Sequence, residues 1–425
     1  MDIHVVQQGE TIYSIAERYG VSVSRLALEN EINITDNLVQ GQTIVITYPE
    51  SVYTVKEGDT LESIAQSNNI TVMQLVRNNP FLAERDFIIQ GETLVISYSQ
   101  RGRLTTTGYA LPFINRTILR KTLPYLTYLF VYNYRLMANG EVETFYDDNY
   151  IIETSIAYGT LPIMLVTTLS AQGSENVLSA YEILLNEEIQ DRLINNILLI
   201  LRTKGYYGIN MTFLYMTETN EKLYNNFTTK ITRRIMNEGY LVFVTINPET
   251  KEMNAEVNIN KVDYTEIGGV VRGISFISYV FGTNISPPSP VSSIANLSAF
   301  LDYVSTMVPV EKITAGIQMI AYDWEIPYVA GFSKANSLTV VGAVHLARDV
   351  SAVIKFDELS QTPYFEYTQE NNRHIVWFVD ARTVNSLLNL ISEKGYKGPG
   401  VWNTMNYYPQ LWLVINSQYN VEKLI

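Results

Sequence analysis

The chain has 425 residues, 47% of them hydrophobic and 17% charged, with a formal net charge of −13; such a composition builds one large domain and one or two small ones around a sizeable core. An acidic chain with no basic run longer than Arg233-Arg234 excludes a nucleic-acid partner and an anionic membrane surface, both of which need clustered cations. Cysteine is absent, which removes disulfides, thiolate metal sites and a cysteine nucleophile together; the histidines His4, His345 and His374 are too scattered for a zinc site, so no metal and no cofactor is expected.

The N-terminus, Met1-Asp-Ile-His-Val-Val6, lacks the basic and apolar regions of a signal peptide, and no run of about 18 apolar residues is present. A soluble protein made in the cytoplasm, without a membrane span, is the expectation.

An internal repeat opens the chain. Val5-Val-Gln-Gln-Gly-Glu-Thr11 returns as Val55-Lys-Glu-Gly-Asp-Thr60, and Leu38-Val-Gln-Gly-Gln-Thr-Ile-Val-Ile46 returns as Ile88-Ile-Gln-Gly-Glu-Thr-Leu-Val-Ile96. Each copy reads as a strand, a helix whose start the acidic-Thr pair can cap, a second helix (Val23–Asn30; Val72–Asn78) and a closing strand. The pattern resembles the LysM module, which implies two copies, 1–49 and 50–98, binding peptidoglycan or chitin-like N-acetylglucosamine glycan. In that family the groove lies between the first strand–helix loop and the second helix–strand loop. Carried over, it implies one groove at Gly9, Glu10, Thr11, Ile12 and Asn30, and another at Gly58, Asp59, Thr60, Leu61 and Asn79.

A polar linker, 99–104, leads into a different rhythm. Eight apolar runs alternate with helical stretches such as Asn176–Thr203 and Asn220–Asn237: Thr107–Ala110, Tyr128–Tyr134, Ile163–Thr168, Gly208–Tyr215, Tyr240–Ile246, Gly273–Tyr279, Ile317–Tyr322 and Pro399–Thr404. That succession predicts an α/β fold, a (β/α)8 TIM barrel over 105–425, with a small α+β insertion at about 330–378.

Gly205-Tyr-Tyr-Gly-Ile-Asn-Met-Thr-Phe-Leu-Tyr215 resembles the signature strand of glycoside hydrolase family 18, the chitinase-like family, in its spore cortex-lytic branch. Ile277-Ser-Tyr-Val-Phe-Gly282, Ala321-Tyr-Asp-Trp324, Val376-Trp-Phe-Val-Asp-Ala-Arg382 and Gly400-Val-Trp402 resemble further segments of it. The family mechanism is substrate-assisted: a Glu protonates the glycosidic oxygen while the sugar's own acetamido oxygen attacks, held by an Asp two residues earlier on the strand. Here Leu214 stands at the Glu position and Thr212 at the Asp position; Val280 and Val379 replace further acids, and Arg272 stands where relatives have an Asp. Leu214 has no proton to give, and positioned proton transfer alone is worth about 10²–10⁴ in rate.

The resemblance with these losses implies a barrel without turnover: a glycan-binding, structural protein of the spore envelope, laid down from the mother cell, its cleft carrying Asn210, Tyr279, Tyr322, Asp323, Trp324 and Trp402. Two alternatives stand beside it. One is an active cortex-lytic N-acetylglucosaminidase using a non-standard acid, for which Glu218, Asp323, Glu325 and Asp380 remain. The other is a self-assembling shell or fibre subunit, for which 30 tyrosines would supply contacts to other envelope proteins or to copies of itself.

Overall fold

The structure, a computed structural model, describes residues 1–85, 87–170, 177–213, 216–247, 250–253, 256–259, 261–277 and 284–425. In each repeat a short strand is closed by its antiparallel partner, Asp2–Val5 by Thr43–Ile46 and Pro49–Thr54 by Thr93–Tyr98, with two helices between. Thr11 and Thr60 cap the first helices, Ile12–Tyr19 and Leu61–Ser67, each in a reciprocal pair with the serine three residues on. The acidic partners do not cap. Glu10 turns back to the Gln7 amide (2.8 Å) and His4 (2.7 Å), and Asp59 accepts from the Lys56 amide (2.7 Å) and the Tyr53 hydroxyl (3.0 Å). A threonine hydroxyl already meets the orphan amide, so the carboxylate is left to lock the preceding turn.

Eight parallel strands then close a barrel: Thr107–Ala110, Tyr128–Leu136, Leu161–Thr167, Gly208–Phe213, Leu241–Ile246, Gly273–Phe276, Ile313–Gln318 and Gly398–Trp402, the last paired with the first. Period-2 alternation sends Ile209 and Met211 outward to the helices and Asn210 inward. The register aligns Tyr109 with Phe130, Phe130 with Ile163, Asn210 with Phe243, Thr212 with Thr245, and Thr245 with Ser275, so these positions share the lumen face. Bulk is uneven around the ring. Strands one, two and five contribute Tyr109, Tyr128, Phe130 and Phe243, whereas strands six to eight present Gly273, Gly316 and Gly400 at aligned positions.

The barrel floor is cationic. Lys397 places Nζ 5.4 Å from the Tyr128 ring centre and 5.1 Å from that of Phe243. The C-terminal strand Asn420–Val421 runs parallel to Arg103–Leu104, within the stretch expected as a linker. Below it, Lys423 Nζ donates to the Leu123 and Leu126 carbonyls, each at 2.7 Å.

Two expected elements moved. The seventh barrel strand is Ile313–Gln318, not Ile317–Tyr322; the run Ala321–Ile326 instead joins a five-stranded antiparallel sheet that caps the barrel between its last two strands. The expected helix Asn176–Thr203 is two helices, Val177–Leu185 and Glu187–Lys204, because Asn186 caps the second by accepting from the Glu188 and Ile189 amides. Among the described residues no helix is long and apolar enough to cross a membrane, and no group of His, Asp or Glu is placed to hold a metal.

The modules pack on the barrel. Tyr125 stacks on Trp412 (5.1 Å), Arg77 donates to the Val421 carbonyl and Asn420 Oδ1, and buried Lys121 ion-pairs with Glu31 of the first module and Glu84 of the second. Gly41 and Gly91 are equivalent turn positions with φ of +86° and +85°. A Cβ on Gly41 would sit 1.9 Å from the Ile354 carbonyl oxygen, whereas one on Gly91 would meet open space.

Gly91→Ala is therefore expected to cost only the left-handed backbone strain of about 1–2 kcal/mol, while Gly41→Ala also loosens the first module and exposes its junction to protease; thermal melts with limited proteolysis check the contrast. Burial, reinforced by nearby Arg272, lowers the Lys397 ammonium to about 8. The folded chain then sheds this proton before the unfolded chain does, so its contribution to stability rises with pH from about 8 toward ~10.4. Denaturant midpoints at several pH values in that window should climb more in the wild type than in Lys397→Met, and equal slopes would refute the assignment.

Candidate functional site

The C-terminal mouth of the barrel gathers a chain of polar groups held by strand register. Tyr109 Oη lies 2.8 Å from Thr245 Oγ1, and Thr245 Oγ1 donates to Asn210 Oδ1 at 3.0 Å. Burial pushes the Tyr109 hydroxyl well above its ordinary range, with hydrogen bonds from Ser275 and Thr245 pulling the other way. Asn210 is wholly buried, and its Nδ2 finds no partner among the described residues; neither does Thr212 Oγ1, one strand repeat nearer the mouth. Two unpartnered polar groups on one face of one strand are a place where a ligand's oxygen and N–H fit.

Aromatic rings lead out from that point. Trp402 tilts over Tyr109 (5.4 Å) and meets Tyr132 edge-on (6.5 Å). Tyr132 stacks with Phe145 (6.2 Å), Phe145 meets Tyr146, and Tyr146 meets Phe113 (5.0 Å), the last two standing 39% and 59% exposed. The rings come from the loops after strands one and two, and sequence reading missed all of them except Trp402. The period-2 series Tyr128, Phe130, Tyr132 was the available signal.

Other expected cleft residues lie elsewhere. Trp324 is fully buried between the capping sheet and the barrel, edge-on to Tyr328, and Tyr322 lies in the same core. Asp323 accepts from the Tyr367 hydroxyl (2.8 Å) and pairs with His374 (3.0 Å) inside the capping sheet. Their strand belongs to that sheet and not to the barrel, which is why they leave the cleft. Tyr279, Val280 and Leu214 lie outside the described residues. Val379 is buried core, Asp380 caps the helix Ala381–Lys394 and pairs with Arg382, and Arg272 sits at the entry of strand six, on the floor side. Glu325 is exposed on the capping sheet; Glu218 is exposed on the loop leaving strand four, accepting from the Lys261 amide at 3.0 Å.

In the modules, Gly9, Thr11, Gly58, Asp59 and Thr60 lie at solvent-facing turns and caps. Ile12 is core of the first module, and Leu61 packs against that of the second. Burial raises the Glu10 carboxyl, but the Gln7 amide, His4 and Arg18 outweigh it and hold it below the usual range. Asn30 and Asn79 are buried, and each donates Nδ2 to two main-chain carbonyls and accepts from a strand amide (Val45 and Val95). Asn30 Oδ1 also accepts from Gln410 of the barrel (3.2 Å). Both amides belong to module architecture and are withdrawn from the expected groove.

Residues 165–406 match Glycosyl hydrolases family 18, and residues 4–47 and 53–97 each match the LysM domain. The chain belongs to glycosyl hydrolase family 18. A cortical fragment-lytic enzyme of Bacillus subtilis is 33% identical over 431 residues, covering all of this chain and 99% of that protein. The crystal structure of the Bacillus cereus spore cortex-lytic enzyme SleL superposes with a TM-score of 0.80 at 27% identity, covering 99% of both chains. A chitinase from Chromobacterium violaceum shares the barrel fold alone, with a TM-score of 0.66 at 19% identity over 74% of this chain.

These likenesses overturn the expectation of a non-catalytic, structural barrel, and with it the shell-subunit alternative. That expectation weighed a few side-chain positions above the chain as a whole, and full-length relatives with the same two modules and barrel bear the names of lytic enzymes. The enzymatic alternative fits them. One consequence of the asparagine geometry is measurable: Asn30→Ala strands the Val45 amide and Gln410, and should lower stability by about 1–3 kcal/mol in urea unfolding.

Proposed function

We propose that this chain is a glycosylase of N-acetylglucosamine-containing spore cortex glycan, held to its polymer by the two LysM modules and working at the spore envelope with a non-standard acid. The observation that carries the reading is its likeness, from end to end and at 33% identity, to a cortical fragment-lytic enzyme. The mouth geometry agrees with it. Trp402 offers a flat floor for a sugar ring, while Asn210 Nδ2 and Thr212 Oγ1 are aimed, without other partners, where a 2-acetamido group would be gripped. Thr212 holds that group by hydrogen bonding alone, since it carries no charge. The rings of Tyr132, Phe145, Tyr146 and Phe113 extend a stacking surface outward for neighbouring sugars.

The proton is the demanding part. Leu214 cannot supply it, and Asp323 and Asp380 are committed to His374 with Tyr367 and to Arg382. Glu218 follows the same strand into the loop at the mouth and faces solvent, which makes it the donor we assign. The substrate's acetamido oxygen attacks the anomeric carbon, the glycosidic oxygen leaves with the proton of the acid, and water then opens the cyclic intermediate.

Release of new reducing ends from purified cortex fragments is the test. Wild type should release them, Glu218→Gln should fall by about 10²–10⁴, and Thr212→Asp with Leu214→Glu should raise the rate by a similar factor. A wild type indistinguishable from heat-inactivated protein would sink the reading; full activity in Glu218→Gln would move the acid to Glu325.

A further inference from the structure

The first module and the barrel enclose a cleft that neither builds alone. One wall is the loop following the helix Val23–Asn30, with Ile32, Asn33, Asn37 and Leu38; the other is one face of the helix Val340–Asp349, carrying Val341, Val344, His345 and Arg348 at i, i+3, i+4 and i+7. Thr43, Tyr408 and Gln410 form its floor. Both ends are pinned. Arg348 Nη1 meets Asp36 Oδ2 at 2.6 Å at one, and the Ile354 amide donates to the Gln40 carbonyl (2.9 Å), hard against Gly41, at the other. The empty volume, counting the open mouth, is about 820 Å³, within the roughly 300–1,000 Å³ of ligand sites, which favour domain junctions.

The lining chooses the ligand. Arg348 is paired with Asp36, Asp380 with Arg382 and Glu31 with Lys121, so no net charge remains to attract an anion or a cation. What faces the space is aliphatic on both walls, Ile32 and Leu38 against Val341 and Val344, with the amides of Asn33 and Asn37 and an imidazole at the rim. An apolar ring face bearing an amide handle and no charge meets that description. We propose that this cleft binds a neutral N-acetylated saccharide, clamped between the first module and the capping sheet's helix, so that the module grips glycan together with the barrel. The half-groove at residues 30–33 would thus be completed by the helix Val340–Asp349 and not by residues 9–12 of its own module.

The inference rests on the reading that the modules carry N-acetylglucosamine glycan, not on turnover, and hydrogen exchange of the full chain with N,N′-diacetylchitobiose separates the two. At about 100 times the dissociation constant, amides whose exchange requires the cleft to open should slow about 100-fold, in residues 30–38 and 340–349 together. Val344→Trp, which fills the space, should abolish both effects. Val341→Trp, at an exposed position on the rim, should do the same without disturbing the core. Protection of 30–38 with 9–12 but not 340–349 would overturn the clamp in favour of a groove within the module. No protection in either segment at saturation would overturn it outright. Reducing-end release from cortex fragments, measured separately, reports on the glycosylase reading, so either can fail alone.

Discussion

Eight strands close into a barrel only if the space they enclose is filled, and here it is filled from one side. Tyr109, Tyr128, Phe130 and Phe243 project far across the lumen, and the strands opposite answer with glycine at positions 273, 316 and 400. A larger side chain at those glycines would compete for volume that the aromatic rings already hold: a Cβ on Gly400 would lie 3.0 Å from Thr314 Cγ2, and one on Gly273 would lie 3.2 Å from Lys397 Nζ. The same asymmetry shapes the mouth. The rings of strands one and two continue outward into the track that begins at Trp402, while strands four to six keep the small polar groups Asn210, Thr212, Thr245 and Ser275.

How much of this could be read beforehand depended on whether the signal was local. The module repeats were legible because two copies fix each other's register, and the barrel was legible from the alternation of apolar runs with helical ones. The seventh strand was not, since Ile313–Gln318 and Ala321–Ile326 are separated by only two residues, both apolar. Hydrophobicity runs on through the break, and nothing local says that one strand enters the barrel while the next turns away into another sheet. Asn186, by contrast, was a visible stop: an asparagine followed by two glutamates announces a new helix.

The site divides in the same way. That Asn210 and Thr212 face the lumen follows from alternation along one strand. That Tyr109 reaches Thr245, 136 residues away, follows only from closure of the ring. The error over turnover had a different origin. Side chains at a strand tip determine how a proton is delivered, but they are a small part of the chain, and a full-length likeness to lytic enzymes bears on all the rest.

Lys121 has a wider meaning than a salt bridge. One ammonium group, buried on the barrel, meets a carboxylate from each module, while Arg77 and Gln410 tie the same modules to the last helix and strand. Two grips on one polymer usually share a flexible tether, and their cooperation then follows the length and slack of that tether. Here the tether is replaced by a solid frame. Such a molecule behaves as a ruler: it favours polymer whose shape matches the fixed distance between grip and barrel mouth, and it discriminates against polymer that does not.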